Sequence, residues 1–156
     1  MLNLEKIIAI ETLTIQVESH GLKSGEVIIE LGEIQQHHRE IEKIVVDFFR
    51  LHQIKTASKQ FEIIEISEKE AINSIIFGLS TKPNYTLIEK QFSMSDQNKL
   101  AYNFVQIFEN PTFYSVETRL YKSNLDLSDF WESGGAIAID KNLVGIFWTN
   151  DLYDKF

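Results

Sequence analysis

The stretch GGAIAIDKNLVGIFW, residues 134 to 148, constrains the fold more than any other part of the chain. Two apolar runs of strand length flank Asp140, Lys141 and Asn142, residue types that tolerate tight-turn backbones, so a β-hairpin is expected. Strand alternation sets Ile137 and Ile139 on one face and Ala136, Ala138 and Asp140 on the other; on the return, Val144, Ile146 and Trp148 oppose Leu143, Gly145 and Phe147. Both faces are largely apolar, as in a strand covered on two sides. The Gly and Ala positions imply that a helix or another backbone approaches one face closely.

Helices are expected in three places to provide that cover. In residues 32 to 53, Ile34, Ile41, Val45, Phe48 and Phe49 recur at helical spacing opposite Arg39, Glu40, Glu42, Lys43 and Asp47. A second helix starts at Ser67, where SEKE forms a capping box: the serine hydroxyl accepts from a free backbone N–H while Glu70 reaches back to the cap residue. Its buried stripe is Ala71, Ile72, Ile75, Ile76 and Leu79. The third starts near Ser95, buries Leu100, Phe104, Val105 and Phe108, and ends at about Asn110, because the residue before Pro111 disfavours helix.

Strands are expected at 60–66 and 112–122, both rich in β-branched and aromatic residues, with a weaker candidate at 85–92. At the N-terminus, ETLTIQVE (11–18) alternates as a strand should, with EVIIEL (26–31) as its hairpin partner across SHGLKSG. Val27, Leu31 and Ile34 also continue the period of the following helix, although Gly32 costs a helix about 1 kcal/mol relative to Ala. The strand reading is preferred. No repeat or linker divides the chain, so residues 1–156 are expected to form one α+β domain: an antiparallel sheet with about three helices packed against it and a C-terminal β-hairpin.

The 156 residues, 44% hydrophobic and 24% charged, suit an ordinary globular domain with a core of its own. There are no cysteines, which excludes disulfides, thiolate metal sites and a cysteine nucleophile, and fits a reducing cytoplasm. Glu5, Lys6 and Glu11 interrupt the opening apolar residues, so neither a signal peptide nor a membrane span is expected. A net charge of −8 works against nucleic-acid and anionic-membrane binding, and Arg39, Arg50 and Arg119 are too scattered for a basic stripe. A charged partner is expected to be basic.

Chemical motifs are few. His37 and His38 point about 100° apart on a helix. The pairs Glu33 with His37 and His38 with Glu42 each lack a third ligand, and H-E-x-x-H is missing, so no metal is expected. GLKSGE (21–26) lacks the glycine spacing of a phosphate loop, and the glycines of ESGG (132–135) stand among carboxylates that oppose an anion. No serine sits in a G-x-S-x-G elbow. Glu117, Asp129, Glu132, Asp140, Asp151 and Asp154 are the carboxylates from which an acid/base pair would be drawn. No catalytic residue and no cofactor is assigned.

The remaining candidate is a recognition surface. Trp131, Trp148 and Tyr153, flanked by Asp129, Glu132, Asp151 and Asp154, combine aromatic anchors with a carboxylate rim, the composition of energetic centres in protein interfaces. In size, acidity, lack of cysteine and the ending WESGGAIAID…GIFWTNDLYD, the chain resembles the small acidic immunity proteins of bacterial toxin–immunity systems, including contact-dependent inhibition. The resemblance implies a cytoplasmic inhibitor that covers the active site, or an adjacent surface, of a cognate basic toxin such as a nuclease. It carries no residue over by position. The alternatives are an acidic chaperone for a secreted effector, and a carboxylate-based enzyme or small-ligand domain with a pocket joining Glu117, Glu132 and Asp140.

Overall fold

The computed structural model describes residues 2–19, 27–34, 40–54, 61–80, 93–118 and 134–149. Among them lie four helices, α1 (Leu4–Glu18), α2 (Ile41–Leu51), α3 (Glu68–Ser80) and α4 (Met94–Val105). The strands are β1 (Val27–Glu33), β2 (Phe61–Ile66), β3 (Thr112–Thr118), β4 (Gly134–Ile139) and β5 (Leu143–Thr149). The five strands form one antiparallel sheet in the order β1-β5-β4-β3-β2. The fold is α+β with a C-terminal hairpin, as expected.

The hairpin occupies the sheet's interior, between β1 and β3, and every residue of β4 is buried. Its two faces feed two separate cores. Ala136, Ala138, Leu143 and Phe147 pack with α1, α3 and α4, whereas Ile137, Ile139, Val144 and Ile146 pack with α2. The two-sided apolar pattern thus has its cause in helices on both faces of the sheet. In the first core, Phe104 meets Phe108 and Phe147 edge-on, with centroids 5.3 and 5.8 Å apart.

Small residues let α3 close down on the sheet. A Cβ placed on Gly78 would lie 2.7 Å from the Gly134 carbonyl oxygen, inside the contact distance of real Cβ atoms. The Ser74 hydroxyl also accepts a 3.0 Å hydrogen bond from the Gly135 amide. The expected capping box is present at the head of this helix: Glu70 N–H donates to Ser67 Oγ and Ser67 N–H to Glu70 Oε1, both at 3.1 Å. Such caps contribute about 1 kcal/mol.

On the other face, α2 buries Ile44, Val45, Phe48 and Phe49 and exposes Glu42, Lys43 and Arg50. Phe48→Ala would remove the centre of that contact at a cost of about 3–5 kcal/mol. The expected helix over 32–53 is too long at its start: residues 27–33 are strand, and the described helix α2 starts at Ile41. Pairing with β5 satisfies the β5-facing half of the backbone from Val27 to Glu33, and Ile34 N–H extends the ladder by donating to the Asn142 carbonyl.

A second correction concerns ETLTIQVE, which is helical. Asn3 caps α1 by accepting from the Lys6 amide at 2.9 Å, and the helix buries Leu13 and Val17 one turn apart while leaving Ile15 exposed. Its alternation along the sequence is therefore coincidental, and β1 pairs instead with β5. Helix α4 starts at Met94, one residue before the expected Ser95, capped by the Ser93 hydroxyl, and its regular part ends at Val105. There the backbone tightens to i→i−3 bonds, Ile107 to Phe104 and Phe108 to Val105, and stops at Asn110 with φ +48°. The strand expected at 60–66 is β2, and the one at 112–122 is described to Thr118. The candidate at 85–92 lies outside the described residues.

Candidate protein-binding site

Register defines what the end of the hairpin brings together. Gly134 and Thr149, where the described chain enters and leaves the hairpin, are direct partners, and Val27 pairs with Thr149 from the other side. Phe61 pairs with Thr118, so Val27, Phe61, Thr118, Gly134 and Thr149 all stand at the same end of the sheet.

Trp148 is one residue inside that end, paired with Ile28 and Gly135. It is half-buried and packs on the α2 side of the sheet, with Ile28 in the same cluster. Gly135 makes room for it: an added Cβ would lie 2.9 Å from Trp148 Cε3. A half-buried indole held against two neighbouring strands is ordered before any partner arrives, so its burial in an interface costs little conformational entropy. The other recognition residues expected from the sequence, Asp129, Trp131, Glu132, Asp151, Tyr153 and Asp154, lie outside the described residues, as do His37 and His38.

Of the carboxylates considered for acid/base chemistry, Asp140 is the one whose side chain is described, and it is committed to backbone amides. Asp140 fixes the β4–β5 turn: its Oδ1 accepts from the Asn142 and Leu143 amides at 2.8 and 2.7 Å, and its Oδ2 accepts from the Glu109 amide at 3.0 Å. Glu117 stands in register opposite Glu62, near the far end of β3 from Thr112, which pairs with Ile139 beside the turn. Five residues of strand set the backbone at Glu117 roughly 16 Å along β3 from Thr112. Glu132, the third carboxylate of that set, is outside the described residues.

Two features escaped the sequence reading. His52, just past α2, stacks on Phe48 with centroids 4.6 Å apart and directs Nδ1 to Glu30 Oε2 at 3.3 Å. Its Nε2 is buried over Gly32 and has no hydrogen-bond partner among the described residues. Beside it a cavity of about 450 Å3 opens between α2 and the sheet, bounded by Gly32, Ile44, Asp47, Phe48, Leu51 and Val144. No local pattern joins Glu30 to His52, because the contact exists only once β1 and α2 pack together. Among the described residues no three His, Asp or Glu side chains gather closely enough to hold a metal ion. No helix among them is long and apolar enough to cross a membrane.

The class defined by this architecture is an α+β domain on a five-stranded antiparallel sheet, with helices on both faces. No family model, curated protein or solved structure matches the chain.

Proposed function

We propose that this protein is a cytoplasmic inhibitor that binds a cognate basic toxin, such as a nuclease, and blocks its active site or an adjacent surface. The observation that supports the reading best is the hairpin end: Gly134 and Thr149 are register partners, with Trp148 anchored beside them. The two acidic and aromatic stretches, Asp129 to Glu132 and Asp151 to Asp154, run into and out of these two positions. With a net charge of −8, carboxylates speed encounter with a cationic surface and aromatic burial slows release.

The test is capture of tagged protein's partners from lysate of its native cell across a salt series, followed by assay of the retained protein. The expected result is one stoichiometric basic partner whose activity falls to baseline at equimolar inhibitor. A partner that keeps full activity in the complex overturns inhibition, and failure to retain any basic protein overturns the whole reading.

A further inference from the structure

A different surface, on the edge of the sheet, has a chemistry of its own. Strand β1 is the last in the sheet order, so among the described residues it has a pairing partner on one side only. A strand edge paired on one side only is a template for a further strand. Alongside the edge runs a groove of about 490 Å3 between α1 and β1, whose apolar lining includes Ile7, Ile10, Ile15, Ile29 and Leu31. Ile15 is 67% exposed, and Leu4 and Ile8 add to the uncovered apolar surface of the same helix. The charged residues lining the groove are Glu11 and Glu30, with no cation among the lining residues.

We propose that the β1 edge and this groove receive an extended basic segment of a partner protein, which adds to the sheet as a further strand. Side chains of a strand alternate between faces, and the two faces here ask for different chemistry. On the α1 side, alternate residues enter the groove and meet Ile7, Ile10 and Ile15, so they are aliphatic. On the opposite side, where Ile28 packs and Glu30 reaches His52, the intervening residues lie across from Glu30 and are Lys or Arg.

The charge pattern also distinguishes this occupant from a second copy of the chain. Two-fold pairing of β1 about its midpoint sets Glu30 against Glu30 of the other copy, a like-charge pair that disfavours assembly. The inference does not depend on the partner being a toxin, and it concerns residues separate from those of the hairpin end.

The test uses blocked peptides as long as the 7 residues of β1, one alternating valine with lysine and one alternating valine with glutamate. Binding is followed by amide hydrogen exchange and by titration. The lysine peptide is expected to slow exchange of β1 amides not bonded to β5, with β2, the other edge, unchanged. The glutamate peptide is expected not to bind. Ile15→Asp, at an exposed position, and Glu30→Lys, at a half-buried one, should each weaken the lysine peptide about fivefold to tenfold, with Glu30→Gln intermediate and all three variants folded by circular dichroism.

The proposal fails if the lysine peptide leaves β1 unprotected, if both peptides bind alike, or if all variants bind as the parent does. It also fails if β1 is protected by concentration-dependent dimerisation without peptide, which would make a second copy the occupant.

Discussion

Gly78 of α3 and Gly134 of β4 meet backbone to backbone: a Cβ on Gly134 would lie 2.8 Å from the Gly78 nitrogen, and one on Gly78 would lie 2.7 Å from the Gly134 oxygen. Alanine at Gly78 improves helix propensity by about 1 kcal/mol, but the clash is with main chain, which has no rotamer to escape into. Gly78→Ala and Gly134→Ala are each expected to destabilise the protein, by about 1–3 kcal/mol net, as the fall in the urea midpoint measures.

Asp140 holds three backbone amides, two in its own turn and Glu109 after α4. Asp140→Ala leaves those donors to water and loosens both the turn and the start of β3. A loss of about 1–3 kcal/mol is expected in denaturant unfolding, with Asp140→Asn recovering part of it.

Burial raises the Tyr114 hydroxyl above the ordinary value of 10.0, and the Glu65 carboxylate, its register neighbour on β2, raises it further, against a lowering hydrogen bond with Thr112. The folded state therefore holds this proton more tightly than the unfolded chain. Stability from this group is complete below pH 10 and is lost as pH rises through the folded value. Tyr114→Phe should lose less stability than the parent on alkaline unfolding, and Glu65→Gln should lower the tyrosinate titration midpoint.

Asp151→Lys and Asp154→Lys probe the proposed inhibitor function. In stopped-flow mixing with the captured partner, each is expected to slow association by about threefold to tenfold at low salt and to flatten its salt dependence, leaving dissociation nearly unchanged. Association equal to the parent in both variants removes these residues from the interface.

The sequence by itself determined the features whose physics is local. Ser67 and Glu70 carry their capping geometry within four residues, and the turn residues Asp140 to Asn142 fix the hairpin. The split of Ile137, Ile139, Val144 and Ile146 from Ala136, Ala138, Leu143 and Phe147 follows from strand alternation alone, as does the need for cover on both faces. Of the recognition surface, the place of Trp148 on the hairpin was readable, whereas its seat against Ile28 and Gly135 was not.

Tertiary structure decided what depends on partners distant in the chain. Leu13, Ile15 and Val17 fit a strand and a helix equally well by local pattern; docking against α4 and β1 selected the helix, which buries Leu13 and Val17 and leaves Ile15 out. Val27, Leu31 and Ile34 continue a helical period, yet β5 offered residues 27–33 a ladder of backbone hydrogen bonds, so strand replaced helix up to Glu33. The Glu30–His52 contact and the separation of Glu117 from Asp140 have the same origin. Sheet order and register are set by long-range pairing, and that information is not contained in any window of neighbouring residues.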